Sequence, residues 1–319
     1  MRIAVIDLGT NTFHLLIADV LSGGSYKKNF VTRAIVKLGK GGIGRNIIAD
    51  ASFRKGIKTI SHFSNLIIEH KVEKVFAFAT SAIRSAKNRN EFTKEVKNRT
   101  GIRIKVIDGD EEATLIYLGV KQCVDLGNSP KLIIDIGGGS TEFIIADKKK
   151  IYWKHSFNIG ASRLLEKFKP SDPITSKEIK MLEAYFDSTL KPLKEAVKKY
   201  PVTALVGSSG SFDTLAEIIG YKFHGKNPIR TLNSYQFYLL EYRIIHEQLL
   251  KSTTAQRKKM KGLISMRVDM IVVASICINY VLNQFKLKEM VVSKYALKEG
   301  ALFSVSSKLL RSKFKVPEH

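Results

Sequence analysis

Only two cysteines occur, Cys123 and Cys277, far apart in the chain and each in apolar surroundings. Such a pair does not build a disulfide scaffold. Two buried, reduced thiols are expected instead, and with them a cytoplasmic setting. Prolines are few, seven in 319 residues, while hydrophobic residues make up 44%. That balance argues against a disordered chain and for a globular one long enough for two domains with cores of their own. The longest later apolar stretch, Ile271 to Leu282, contains Asn279 and is too short to cross a bilayer. Asp7, Asn11 and Asp19 interrupt the apolar N-terminus, so neither a secretory segment nor membrane insertion is expected. Seven histidines are scattered without metal-ligand spacing. Acidic residues are scarce, 29 against 53 lysines and arginines, giving a net charge of +24. So basic a surface favours polyanions, and nucleic acid, inorganic polyphosphate, nucleotides or acidic membranes all fit; so does a lysine-rich proteome. No helix-turn-helix, zinc or stacking-aromatic motif supports nucleic acid.

The chain is organised around residues 131–147, K-L-I-I-D-I-G-G-G-S-T-E-F-I-I-A-D. An apolar strand enters Asp135, a turn follows at Gly137, Gly138 and Gly139, and Ser140, Thr141 and Glu142 lead into a second apolar strand. Glycines without a Cβ let backbone N–H groups approach an anion closely. Asp135 and Glu142 flank the turn as hard oxygen ligands of the kind Mg²⁺ accepts. The same pattern occurs at residues 3–19, I-A-V-I-D-L-G-T-N-T-F-H-L-L-I-A-D. Setting Asp7 on Asp135 also pairs Gly9 with Gly137 and Ile17 with Ile145, which predicts two similar domains.

Along the chain, strands are expected over 12–20 and 27–36 with a turn at Ser22-Gly23-Gly24-Ser25. Lys37 to Arg45 reads as a mobile basic glycine loop, reaching over an anionic substrate or simply solvated. A helix at 51–69 leads to a strand at 74–79 that ends in Thr80-Ser81-Ala82-Ile83-Arg84. Ligands bind at such strand ends in α/β folds, and Arg84 offers a planar fork for phosphate oxygens. Asp108-Gly109-Asp110-Glu111-Glu112 opens a helix; its acids serve the helix dipole, or one of them acts as a general base. Adjacent helical residues point about 100° apart, so only one of Glu111 and Glu112 can face a site. Thr175 and Glu178 form a capping box, and a helix at 175–200 kinks before Pro192. A strand at 202–206 runs into Gly207-Ser208-Ser209-Gly210-Ser211 and a helix, an anion site built from backbone N–H groups. Helices are expected over 235–250 and 268–282, with Gln256 to Lys261 as a solvated basic loop or part of a polyanion path between them. A last strand at 289–293, a last helix at 297–310 and a basic tail, Lys308 to Lys315, close the chain. His14 reads as a packed or surface histidine.

These segments together resemble the exopolyphosphatase and guanosine pentaphosphate phosphohydrolase family of the actin-like ATPase superfamily. The resemblance rests on Asp7-Leu8-Gly9-Thr10-Asn11-Thr12, Thr80 to Arg84, Glu111 to Leu115, Asp135 to Glu142 and Gly207 to Gly210, in the family's order. It implies an α/β protein of two ribonuclease H-like domains flanking a central cleft. The first would span residues 1–121 and the second 122–298, with a closing helix at 299–319 packed back on the first. Many members carry further C-terminal helical domains; this chain resembles the short, two-domain form. The resemblance assigns the catalytic base to Glu112 and the Mg²⁺ and water-positioning carboxylates to Asp135 and Glu142, with Asp7 nearby. Phosphate contacts fall on Thr10, Asn11, Thr12, Arg84, Gly137, Gly138, Gly139, Ser140, Thr141, Ser208, Ser209 and Gly210.

The expected activity is release of terminal orthophosphate from inorganic polyphosphate by metal-assisted attack of water. Hydrolysis of the 5′ γ-phosphate of guanosine pentaphosphate is the near alternative. An ATP-dependent kinase or a non-catalytic polyanion-binding protein are the others, and a homodimer is compatible with the sequence.

Overall fold

The computed structural model describes residues 1–21 and 25–313. Most of the expected Ser22–Ser25 turn and the end of the basic tail lie outside them. The chain divides into two units, Met1–Gly119 together with the segment from Leu297, and Val120–Ala296.

In the first unit, the apolar run Arg2–Leu8 (β1) is buried over most of its length, as a central strand must be. It pairs antiparallel with Thr12–Val20 (β2), which pairs antiparallel with Tyr26–Ile35 (β3). β3 alternates half-buried and exposed residues throughout, the period of an edge strand with one face on the core. Asp50–Glu69 (α1) buries Gly56, Ile57, Ile60, Phe63 and Ile67 on one face. Lys74–Ala79 (β4) then lies parallel to β1. A short helix, Ser81–Ser85 (α2), and Arg89–Thr100 (α3) follow. α3 ends at Gly101, whose left-handed backbone suits a helix stop. Ile104–Val106 (β5) joins β4 in parallel, giving the order β3-β2-β1-β4-β5. Gly109–Val120 (α4) begins where Asp108 Oδ1 accepts the Glu111 N–H at 2.7 Å.

The second unit repeats this order. Lys131–Ile136 (β6) and Thr141–Ala146 (β7) form the second glycine-turn hairpin, and Ile151–Phe157 (β8) extends it. Ala161–Phe168 (α5) follows, then Ser176–Thr189 (α6) behind the predicted Thr175–Glu178 capping box. Lys191–Lys199 (α7) is a separate helix with Pro192 in its first turn. Leu205–Ser208 (β9) lies parallel to β6, and Gly210–Phe223 (α8) leaves from its end.

Ser234–Phe237 (β10) corrects the sequence reading, which continued a helix through it. It pairs antiparallel with the last strand, and the helix Leu239–Lys251 (α9) starts only after it. Thr254–Lys258 (α10) corrects the basic loop: Arg257 is buried, donating to the carbonyls of Val268 (2.8 Å) and Ser252 and to Asp172 (2.7 Å). Met270–Gln284 (α11) is apolar on nearly every side because it is the buried central helix of this unit. No helix among the described residues is long and apolar enough to cross a membrane. Met290–Ser293 (β11) completes the sheet β10-β11-β9-β6-β7-β8, which contains the first sheet's order plus one edge strand.

Leu297–Lys313 (α12) returns to the first unit and packs on β1 and β2. A Cβ on its Gly300 would sit 1.7 Å from the Leu115 carbonyl oxygen of α4, so only glycine allows this approach. Buried Glu299 pairs with Lys28 of β3 at 3.3 Å. Cys277 is buried and Cys123 only half-buried, and neither is in a disulfide.

Candidate active site

The second hairpin places its carboxylates by register. Asp135 stands directly opposite Glu142, so both side chains leave the same face of the sheet as near neighbours. The row continues sideways in register: Ser156 opposite Glu142, Ser208 beside Asp135, and Ser293 beside Ser208. Five strands thus present one line of polar side chains. Asp135 is 7% exposed and Glu142 1%, and Ser156 Oγ donates to Glu142 Oε1 at 2.6 Å.

Gly137 N–H closes the turn on the Ser140 carbonyl at 3.0 Å. The first amides of α5 hold the turn from behind: Ala161 N–H donates to Gly137 O, and Ser162 and Arg163 N–H to Gly138 O, at 2.9–3.1 Å. Arg163 Nε takes the Gly139 carbonyl at 3.0 Å. In a trans peptide the N–H points opposite to the C=O. With three carbonyls turned to α5, the N–H groups of Gly138, Gly139 and Ser140 face away from it, as an anion nest requires. A Cβ on Gly160 would lie 2.5 Å from the backbone of Gly138 and Gly139, so the turn rests on a glycine.

The strand end at Ser208 gives a second donor set. Ser209 adopts φ 65° and ψ 180°, a conformation strained for a residue with a side chain. It leads into the N-terminus of α8, and Ser209 Oγ donates to the Ile136 carbonyl at 3.0 Å. The Arg267 guanidinium lies directly on Gly210, where a Cβ would come within 1.4 Å of its Nη2.

The first unit repeats the hairpin with different chemistry. Gly9 N–H closes on the Thr12 carbonyl at 3.1 Å, and Asp7 stands opposite His14, the position that Glu142 holds in the second copy. Both copies shift register at matching residues, Ile17/Ala18 and Ile145/Ala146. The carbonyls of Thr10 and Asn11 are taken by the N–H groups of Gly39, Val36 and Lys37, at 2.9–3.1 Å. The 37–45 loop is therefore not the mobile loop expected from its glycines. Leu38 and Ile43 are buried beneath it, and backbone hydrogen bonds fasten it.

Arg84 and Glu112, distant in sequence, meet: Nη1 to Oε2 is 2.5 Å, and Arg84 Nη1 also donates to the Ile107 carbonyl at 3.3 Å. Glu112 is 7% exposed. Glu111 instead faces outward and pairs with Lys105. Of the two adjacent glutamates, Glu112 is thus the one held beside the Arg84 guanidinium. Ser81, in the same strand-end segment, is buried with no partner for its hydroxyl among the described residues.

Residues 16–309 match the Ppx/GppA phosphatase family. The chain belongs to this family. The solved structure of an exopolyphosphatase from Cytophaga hutchinsonii superposes with a TM-score of 0.93 at 39% identity, covering 97% of this chain and 98% of that one. Exopolyphosphatase 1 of Mycobacterium tuberculosis is 27% identical over 95% of this chain and 87% of its own length. The guanosine-5′-triphosphate,3′-diphosphate pyrophosphatase of Photobacterium profundum is 27% identical over 96% of this chain and 59% of its own length.

For this Ppx/GppA phosphatase the divalent metal is a matter of donor chemistry. Among the described residues no three His, Cys, Asp or Glu side chains gather as a ready-made cluster. Asp135 and Glu142 as a facing pair still fit Mg²⁺, which uses one or two carboxylates and takes its other ligands from water and phosphate oxygens. Sequence reasoning missed Arg163 and Arg267. Neither sits in a local motif; each reaches its turn from a distant segment.

Proposed function

We propose that this chain releases orthophosphate from the end of inorganic polyphosphate, with Glu112 as the base that orients the attacking water. The observation that carries the reading is the Arg84–Glu112 contact: a proton acceptor and a phosphate-binding fork held within one hydrogen bond. When a terminal phosphate arrives, its oxygens compete with Glu112 for the guanidinium. That frees a carboxylate oxygen to accept the proton of water as water's oxygen bonds to the terminal phosphorus. The bridging P–O bond breaks, and the shortened chain leaves with the bridging oxygen.

Thr10, Asn11 and Thr12 are the phosphate donors of the first unit, and Gly137 to Thr141 with Ser208 to Gly210 those of the second. Arg267 adds positive charge at Gly210. Asp135 and Glu142, facing each other across one hairpin, would hold Mg²⁺. That ion would neutralise phosphate charge and help place the water. The unbridged cysteines support a reducing, cytoplasmic compartment.

Guanosine pentaphosphate is the second reading, favoured by the pyrophosphatase relative and by the shared chemistry of a terminal phosphoanhydride. Phosphate release from polyphosphate, guanosine pentaphosphate and ATP, measured side by side with Mg²⁺, tests both. Preferential release from polyphosphate is expected. Faster release from the nucleotide would favour the second reading, and no release from any of the three would refute both.

A further inference from the structure

Residues 20–49 contain no aspartate or glutamate, the longest such stretch in the chain, and residues 74–90 contain none either. The fold joins these two segments. Lys87 N–H donates to the Asn46 carbonyl at 2.8 Å, and the Asn88 side chain bonds both Ile48 N–H (3.0 Å) and Ile48 C=O (2.9 Å). Five exposed cations result on one scaffold: Lys37, Lys40, Arg45, Lys87 and Arg89. None of the five pairs with a carboxylate among the described residues, whereas Lys105, Lys194 and Lys198 elsewhere do. Arg45 and Arg89 instead donate to backbone carbonyls, of Gly41 (2.7 Å) and Arg84 (3.1 Å).

We infer that this rim is a secondary subsite for a polyphosphate chain, binding phosphate units behind the one being cleaved; the inference rests on the polyphosphate reading above. Two attachments place it next to the reacting end. The loop is bonded to the Thr10 and Asn11 carbonyls, and Arg89 touches the backbone of Arg84. Cations on one scaffold without paired carboxylates raise the local positive potential, and a polyanion is attracted to it. The rim is also pre-organised. Leu38, Ile43 and Ile48 are buried, and Gly42 packs so tightly that a Cβ would meet the Ile47 carbonyl oxygen at 2.2 Å. Little ordering is left to oppose binding. Arg84, beside Glu112, serves the terminal phosphate in the reading above, so charge for the trailing phosphates has to come from other residues.

The test compares KM for a chain of about 100 phosphates with KM for tripolyphosphate, in the whole protein. The rim variant is Lys40→Glu/Arg45→Glu/Lys87→Glu. The control is Lys177→Glu/Lys180→Glu/Lys191→Glu, three exposed lysines of the second unit whose reversal lowers net charge equally. The rim variant is expected to raise the long-chain KM about tenfold and the tripolyphosphate KM less than about twofold, with a shallower salt dependence for the long chain. The control is expected to leave both unchanged. Equal effects from the two variants would assign the phenomenon to bulk charge and overturn the proposal. An equal rise for both substrates in the rim variant would also overturn it, because the cations would then serve the reacting end. Wild-type protein inactive on both substrates would refute the polyphosphate reading itself, a different failure from either of these.

Discussion

Arg84 Nη1 and Glu112 Oε2 lie 2.5 Å apart, with the glutamate side chain 9% exposed and the arginine 20%. A single contact thus holds the proposed base and the proposed phosphate fork to each other. Removing the arginine leaves a carboxylate with less compensation in a poorly solvated place, and removes the fork. Arg84→Ala is expected to lower kcat/KM for polyphosphate about 100-fold and stability by about 1–3 kcal/mol. Arg84→Lys keeps the charge and loses the fork, so it falls between, about tenfold down. Steady-state kinetics and urea melts check both. A lysine variant as poor as alanine would show that charge alone is not what the site uses.

Two glycines separate stability from binding. A Cβ on Gly160 meets backbone of Gly138 and Gly139, which cannot move without opening the turn. The atoms nearest to a Cβ on Gly210 belong to the Arg267 guanidinium, the far end of a flexible side chain. Gly160→Ala is expected to cost about 2 kcal/mol or more and most of the activity. Gly210→Ala is expected to change stability by less than about 1 kcal/mol while raising KM about fivefold or more. Melting curves beside kinetics read the contrast, and a Gly160→Ala protein of normal stability would contradict the packing described here.

His246 provides a pH dependence of folding unrelated to catalysis. It is 5% exposed and its Nδ1 lies 2.5 Å from Ser275 Oγ; burial pushes its pKa below the usual histidine value. A depressed folded pKa means the unfolded chain takes the proton first. Stability is therefore complete above about pH 6.5, the unfolded value, and falls as pH drops below it. Thermal unfolding between pH 8 and pH 5 should show that loss, and His246→Asn should flatten it. An identical slope in the variant would place the titration elsewhere.

The facing carboxylates predict metal behaviour. Chelation is expected to stop phosphate release and Mg²⁺ to restore it. Asp135→Asn and Glu142→Gln should each raise the Mg²⁺ concentration needed for half-maximal rate about tenfold or more. Titration of Mg²⁺ against initial rate measures this. Unchanged Mg²⁺ requirement in both variants would remove the pair from the metal site.

The fold was legible where local pattern and tertiary role coincide. β1 and β6 are apolar runs because they are central strands, and the duplicated Asp–glycine turn announced two related sheets. Register followed from the turns, which is why Asp135 and Glu142 were identifiable as neighbours. β10 was not legible: Ser234–Phe237 is apolar enough to begin a helix and becomes a strand only by pairing with β11. Arg257 reads as one more cation in a basic run and is buried because Asp172 and two carbonyls wait for it. Glu111 and Glu112 are equivalent in sequence and differ only in what the fold sets against them, Lys105 or Arg84.

Phosphate release from polyphosphate by Glu112→Gln, at matched Mg²⁺ and with the melting temperature recorded alongside, addresses the proposed chemistry most directly. A rate about 10²–10⁴-fold below wild type in a folded protein is expected. Wild-type turnover in that variant would contradict Glu112 as the base and with it the mechanism.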